Sequence, residues 1–420
     1  VDKPSTRPRL LFICKFDPWR LNNGAIIRNY WLIAALAQRF DVDVITADDA
    51  DNPISADFQE RCAEIRRFPR PHGIRAKVAR IAGALRPGGT FFTSGSVTRE
   101  MRVETARLVA TRGYSAIMTD LGMIDAVPVK TTVPIVFSGH NSEATLMLRR
   151  AELEPIWSRI AMTIDALRLR RLEAELVKRC VIVTACSQND VDDMATFAPS
   201  ITQKAVVIPN GVDCETYADV ARTDGEDGTI LVPGSFDWLP NRRGLMWFVN
   251  EVLPQLERLL AGKNFRVRVA GRMESSFAKK LGEMSPRLTV VPNVPRMEAE
   301  LQAASIIAVP VIASSGTRLR ILEAWAAGRA IVTTEHGAFG LDYTDGIDLF
   351  ACPEPQQFAA AAAKLLGDRL LRKRLQAAGA ARAASYDWSA IGVKLLMSFE
   401  GCGLLPVVRQ ESAVGVESRS

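Results

Sequence analysis

Short apolar runs alternate with amphipathic stretches of helical length along almost the whole chain. LLFICKF (10–16), DVDVITA (41–47), SAIMTD (115–120), IVFSGH (135–140), CVIVTAC (180–186) and AVVIP (205–209) form one series of predicted strands. TILVPG (229–234), RVRVAG (266–271), LTVVP (288–292), SIIAVP (305–310) and RAIVTT (329–334) form a second. Near-continuous apolar strands of this kind indicate parallel sheets covered by helices on both faces. The pattern therefore predicts an α/β chain of two doubly wound parallel-sheet domains facing across a cleft. The polar segment 214–228 is the expected linker, and its GEDG cluster reads as a loop. The predicted domains are 1–215 and 216–385, followed by a further helical stretch at 386–401. Residues 402–420 lack a helical period and read as a flexible tail.

Composition narrows the classes. Of 420 residues, 48% are hydrophobic and 24% charged, which supplies two cores and excludes a disordered chain. No run of about 18 apolar residues is present, so no membrane-spanning helix is expected. No signal-peptide pattern opens the sequence, so a cytoplasmic chain is expected, with peripheral docking at the inner membrane face as an option. The seven cysteines contain no CxxC pair, and they read as buried free thiols of a reducing compartment. With three histidines and no clustered ligands, no metal site is expected. A net charge of +6 and a pI near 9.0 suit anionic partners such as nucleotides, phosphorylated lipids or acidic membranes. No zinc-finger spacing or RNA-binding aromatic motif occurs, so no nucleic-acid partner is expected. No GxGxxG follows the first strand, which argues against a dinucleotide-dependent dehydrogenase.

Chemistry is expected outside the carboxyl ends of the strands. In SSGTRLRILEAWAAGRAIVTT (314–334), Gly316 and Thr317 open a helix that Gly328 closes. A helix start behind glycine offers unpaired N–H groups and a positive dipole end, a site for a diphosphate. Arg318 and Arg320 add charge there. Glu323, among Leu322, Ala324 and Trp325, either accepts two ribose hydroxyls or faces water on a capped surface helix. His140, at the end of IVFSGH, is either a proton-shuttling group or a satisfied structural histidine. His336 follows a later strand and borders the same region; His72 reads as surface. The segment 64–87 gathers Arg66, Arg67, Arg70, Arg75, Lys77, Arg80 and Arg86. Ile74, Val78, Ile81 and Leu85 recur there at helical spacing. It either docks on an anionic membrane surface or forms a solvated helix face. The arginines of 167–179 read as the polar face of a long helix.

Five segments in order carry a resemblance: PNGVD (209–213), GSFDWLPNRRGLMWFVNEVLP (234–254), VAGR (269–272), SGTRLRILEAWAAGRAIVTT (315–334) and HGAFGL (336–341). Together they resemble the GT-B retaining glycosyltransferases of family 4. The resemblance implies two Rossmann-like domains, the first completed by the helix at 386–401, with a UDP- or GDP-sugar donor held mainly by the second. It implies that Glu323 holds the nucleotide ribose and that the amides of Thr317, Arg318 and Leu319 grip the donor phosphates. Arg243 would neutralise the leaving diphosphate, Gly234 and Arg272 would border the donor at strand ends, and Val294 would meet the base. Gly24 and Ala25 stand where the family places two glycines against a donor phosphate, and His140 stands near the transferred sugar.

Two departures stand out: Ser315 replaces the first motif glutamate, which helps position the sugar, and Ser235 replaces a common arginine. The implied reaction is retaining hexosyl transfer to a carbohydrate, lipid-linked or other hydroxyl acceptor in bacterial envelope or exopolysaccharide synthesis. The acceptor attacks from the front face, with no metal and no protein nucleophile. Ser315 keeps a non-catalytic nucleotide-sugar-binding subunit open, and a nucleotide-sugar epimerase on the same fold is a further alternative.

Overall fold

A seven-stranded sheet is built from β1 (Arg9–Cys14), β2 (Asp41–Thr46), β3 (Glu64–Arg67), β4 (Ala116–Thr119), β5 (Ile135–Ser138), β6 (Ile182–Ala185) and β7 (Ala205–Val207). Its order is β3-β2-β1-β4-β5-β6-β7. A six-stranded sheet follows, from β8 (Glu226–Ser235), β9 (Arg266–Arg272), β10 (Leu288–Pro292), β11 (Ala304–Val309), β12 (Ala330–Thr333) and β13 (Phe350–Ala351). Its order is β10-β9-β8-β11-β12-β13. Every pairing is parallel. The computed structural model describes residues 7–21, 23–47, 53–70, 73–86, 88–152, 154–312 and 319–406, without the side chains of residues 75 and 79.

Successive residues of a strand point to opposite faces, so a central strand needs apolar residues throughout. In β1, Leu11 and Ile13 enter one core layer while Leu10, Phe12 and Cys14 enter the other. In β8, Ile230 and Val232 face one layer and Leu231 the other. Each fully buried side chain of this size contributes roughly 1.5–3 kcal/mol by leaving water.

The helix Trp388–Gly401 packs in the first domain, not the second. Its Ile391, Leu395 and Phe399 join Leu10 and Phe12 in one core. Trp388 stacks on Trp31 at 6.0 Å between centroids. Arg39 pairs with Glu400 at 3.0 Å.

Three expectations are corrected. The GEDG cluster is not a loop: Glu226 to Gly228 open β8, and Glu226 pairs with Ala304 across a register shift. Positive φ at Gly225 and Gly228 lets the chain bend into the sheet, so pairing overrides loop-like composition. The flexible tail does not begin at 402. Leu404 and Leu405 are buried in the first core, and Pro406 accepts a hydrogen bond from Arg39. Residues 407–420 lie outside the described residues. The segment 64–87 is not one basic surface either. Arg66 is committed to Glu64 and Glu104 and Arg67 to Asp17, so only Gly73–Leu85 forms the amphipathic helix.

None of the seven cysteines forms a disulfide. Among the described residues no helix is long and apolar enough to cross a membrane.

Candidate active site

Strand order reverses between β8 and β11 in the second sheet, and ligands of open α/β sheets lie in the crevice at such reversals. A cavity of about 420 Å3 opens there, between the two domains. Gly24 comes from the first domain; Arg272, Pro310, Leu319, Arg320 and Glu323 come from the second. At its floor β8 and β9 run side by side to Gly234 and Gly271. Gly271 has φ +135°, and a Cβ there would lie 1.8 Å from the Gly234 carbonyl oxygen. Only glycine permits this approach, and it sets the next residues together. Arg272 Nη2 donates to Ser235 Oγ at 3.0 Å. The position that lacks the family's arginine is thus faced by the guanidinium of Arg272.

The helix Leu319–Ala326 buries Ile321, Leu322, Ala324, Trp325 and Ala326, which leaves Arg320 and Glu323 on the cavity side. Arg320 Nη1 donates to Glu323 Oε2 at 2.6 Å. Glu323 beside it holds the Arg320 guanidinium above its ordinary pKa. Glu323 is therefore neither isolated among apolar groups nor turned to bulk water. It keeps a second oxygen to offer a ligand.

Across the cavity, Asn23 caps the Gly24–Leu36 helix by accepting from Ile26 N at 3.1 Å. Buried Arg28 ties that helix to the PNGVD segment, donating to the Pro209 carbonyl at 3.1 Å and to the adjoining Ile208 carbonyl at 2.7 Å. A Cβ on Gly24 would sit 3.4 Å from Leu319 Cδ1, so helix starts of both domains meet at the cavity.

The remaining sequence candidates are placed as follows. Ala25 is half-buried in the first turn behind Gly24. Arg243 is half-buried on the helix Leu239–Trp247, where Asn241 rather than Arg243 lines the cavity. Val294 packs on the core of the second domain. His336 is exposed behind β12. His140 is half-buried behind β5. Burial, then the charge of Arg28, pushes its imidazole down to about 3, so it is neutral at pH 7, with one donor and one acceptor nitrogen. Ser315, Gly316, Thr317 and Arg318, like His72, lie outside the described residues.

Sequence reasoning missed Asn23, Trp238 and Asn241, all on the cavity wall. The Asn-Asn-Gly run ahead of an apolar helix was a capping signal for the first. It also missed contacts that bridge the domains. Arg150 lies over Trp238 at 4.8 Å and Arg149 over Phe339 at 5.4 Å.

Buried acids cluster behind β4 and β5. Glu173, on the long helix Ile156–Arg179, accepts from the Glu143 N–H at 2.9 Å and from the Ala144 N–H at 3.3 Å. It thereby serves the start of the helix Glu143–Ala151. Burial, then the neighbouring Glu143, pushes Glu173 up to about 8. Burial pushes Glu143 up to about 7 and Asp120 up to about 6 against the pull of Lys15. A raised carboxyl contributes stability in full below its unfolded pKa and loses it as pH rises through the folded value. His140, depressed, acts in the opposite direction and costs stability as pH falls below its unfolded value. Maximum stability is therefore expected on the mildly acidic side, with Tm falling by roughly 3–5 °C between about pH 6 and pH 8.5. Glu173→Gln should flatten that fall in a thermal scan; an unchanged slope would show that Glu173 does not titrate there.

Two family models match adjoining parts of the chain: glycosyltransferase family 4 over residues 22–216 and glycosyl transferases group 1 over residues 227–368. The chain belongs to the family 4, group 1 glycosyltransferases, and its two sheets are those of the GT-B fold. It is 28% identical over 205 residues to a phosphatidyl-myo-inositol mannosyltransferase of Mycolicibacterium smegmatis, covering 47% of this chain and 52% of that protein. It is 25% identical to a D-inositol 3-phosphate glycosyltransferase of Nocardia farcinica, covering 64% and 61%. The matches thus span between about half and three-fifths of these relatives' length. Among solved structures, sucrose-phosphate synthase of Thermosynechococcus elongatus superposes with a TM-score of 0.69 at 15% identity, over 94% of this chain and 98% of that one. Anabaena HepE in complex with UDP and glucose does so with 0.60 at 15%, over 94% and 100%.

Proposed function

We propose that the chain is a retaining glycosyltransferase that moves a hexosyl group from a UDP- or GDP-sugar to a hydroxyl of a carbohydrate or lipid-linked acceptor. The observation that carries this reading is the cavity at the strand reversal, where Glu323 and Arg320 face Gly24 across the domains. The UDP-bound structural neighbour and the relative named for mannosylating phosphatidylinositol support the donor and acceptor classes. Glu323 accepts the ribose hydroxyls. Arg272 and Arg320, which line the cavity, and Arg243 from the Leu239–Trp247 helix stabilise charge developing on the leaving diphosphate, which must be met in the transition state. The amides of Thr317, Arg318 and Leu319 grip the donor phosphates in this reading, and Val294 and Gly234 border the nucleotide. Neutral His140 orients the transferred sugar. The acceptor hydroxyl attacks on the leaving-group side, and its proton passes to the departing phosphate. These cations make a divalent metal dispensable, so activity should survive a chelator.

A thermal-shift screen of UDP- and GDP-sugars tests the donor claim; no stabilisation by any of them would sink it. Ser315, in place of the motif glutamate, favours one second reading, a donor-binding subunit without activity. Measuring donor hydrolysis separates the two, because only the enzyme consumes a bound donor.

We also propose a peripheral role at an anionic bilayer, in keeping with envelope or exopolysaccharide synthesis. The apolar stripe Ile74, Val78, Ile81 and Leu85 faces outward, and so does Ile156, Trp157, Ile160, Ile164 and Leu167 on the Ile156–Arg179 helix. Ile74 is 80% and Trp157 81% exposed. The two helices touch: Arg168 donates to the Ala84 carbonyl at 2.8 Å. Lys77, Arg80 and Arg159 flank the stripes, the charge pattern of an interfacial helix on acidic lipid. Flotation with phosphatidylcholine vesicles containing phosphatidylglycerol should recover the protein, and Ile74→Ser with Trp157→Ser should cut recovery about tenfold. Equal recovery of the double variant would end the idea.

A further inference from the structure

The cavity at the strand reversal takes its walls from both domains, so it is whole only while the domains stand together. The helix Glu143–Ala151 of the first domain reaches over to the second. Arg150, exposed in its last turn, lies over the Trp238 ring at 4.8 Å. Arg149 lies over the Phe339 ring at 5.4 Å. Trp238 follows β8 and Phe339 follows β12. Those strands flank β11 on either side, and Val309, Pro310 and Val311 at the end of β11 line the cavity. The two contacts therefore straddle the end of β11. Neighbouring residues of a helix diverge by about 100°, which lets adjacent arginines reach rings on separate strands.

Both sides of these contacts are held from behind. Arg149 Nη2 pairs with Asp193 of the first domain at 3.0 Å. Its Nη1 is buried without a hydrogen-bond partner among the described residues, as suits a guanidinium laid on a ring face. The helix itself starts on the Glu173 carboxylate, which accepts from the Glu143 N–H at 2.9 Å, and it buries Ala144 and Ala151. Phe339 ends the turn Glu335–Ala338, which Thr334 caps by accepting from Gly337 N at 3.0 Å. Trp238 N donates to the Ser235 carbonyl at 3.4 Å, and the residue that Arg150 covers is itself part of the cavity wall. A cation over an aromatic face shifts an equilibrium roughly two- to thirtyfold. One such contact would leave the domains free to swivel about it. Two, on separate strands, restrict both their separation and their orientation.

We propose that Arg150 is a positioning residue for the donor. From the first domain it sets the Trp238 ring as a wall against the nucleotide, and Arg149 on Phe339 makes the second point of a clasp that keeps the cavity whole. The role toward the donor rests on the glycosyltransferase reading; the clasp between the domains does not. A nucleotide that needs both walls binds only the clasped form, so its apparent affinity falls in proportion as that form is depopulated.

The test is isothermal titration of the full chain with UDP and with GDP, joined to small-angle scattering of the ligand-free protein. Arg150→Ala should weaken nucleotide binding about fivefold, and Arg150→Lys, which keeps the cation, should weaken it less. Trp238→Leu should weaken binding about tenfold. Adding Arg150→Ala to Trp238→Leu should then change little, because the arginine acts through the ring. Arg149→Ala combined with Arg150→Ala should enlarge the radius of gyration while circular dichroism shows both domains folded. Undiminished binding by Arg150→Ala, or the same fivefold loss repeated in the Trp238→Leu background, overturns the positioning role. An unchanged radius of gyration overturns the clasp. Binding of neither nucleotide by the unaltered chain removes the donor reading and the positioning role with it, and the scattering then judges the clasp by itself.

Discussion

Glu323→Ala is expected to abolish most of the thermal stabilisation that a nucleotide sugar confers, with donor affinity falling on the order of 100-fold. Two hydroxyls donating to one carboxylate are charge-assisted hydrogen bonds, each worth about 1.5–3 kcal/mol, and losing both at the lower end of that range, about 3 kcal/mol, gives that order. Glu323→Gln offers one acceptor oxygen instead of two and should lose about tenfold. The two variants separate ligand contact from a scaffold effect, because Arg320 leans on Glu323 at 2.6 Å and loses its ion pair in both. If the role of Glu323 were only to hold Arg320, alanine and glutamine would weaken the donor equally. Equilibrium binding of the donor, read alongside the melting temperature of the ligand-free variants, distinguishes these outcomes. Unchanged affinity in Glu323→Ala would remove Glu323 from the site.

How much of this was legible in the sequence depended on where each signal resides. Central strands were legible because both their faces are covered, which forces runs such as LLFIC and SIIAV. The edge strands β3 and β13 were not. β3 is EIRR, partly exposed along its length, with arginines serving ion pairs; β13 has two residues. The place of Glu323 on the cavity wall was legible because one local stretch of sequence carries both a helix-start pattern and the carboxylate. Lys15 and Asp120 were not, since each is a single polar residue after a strand and they meet only through the sheet order. Trp157 was hidden for another reason. The long helix mixes buried, charged and outward apolar positions, so its stripe emerges only once the neighbouring helix is in place. Leu404 and Leu405 looked like tail because they contribute by filling a core, which no periodicity announces.

Gly271→Ala is expected to be strongly destabilising to the second domain. Two costs combine. The backbone at φ +135° is a region that alanine rarely enters. The added Cβ would also lie 1.8 Å from the Gly234 oxygen and 2.9 Å from its carbonyl carbon. Both atoms belong to the backbone of a paired central strand, so no side chain can turn aside to make room. Further along, the Gly271 carbonyl accepts from Asn293 N at 2.8 Å, so moving Gly271 also disturbs the turn after β10. A loss of about 4 kcal/mol or more follows, a large share of the roughly 5–15 kcal/mol by which domains are stable. Gly234→Ala should cost less, because its Cβ meets the end of the Phe236 ring at 2.9 Å and that side chain can shift. Gly367→Ala, with nothing within 4 Å, should stay within about 1 kcal/mol of the unaltered chain. Urea unfolding of the three variants gives the ranking, and Gly271→Ala unfolding within 1 kcal/mol of Gly367→Ala would refute it. The same close approach sets Ser235 beside Arg272 at the cavity floor, so any Gly271→Ala protein that folds should also bind a nucleotide sugar more weakly than its stability alone implies.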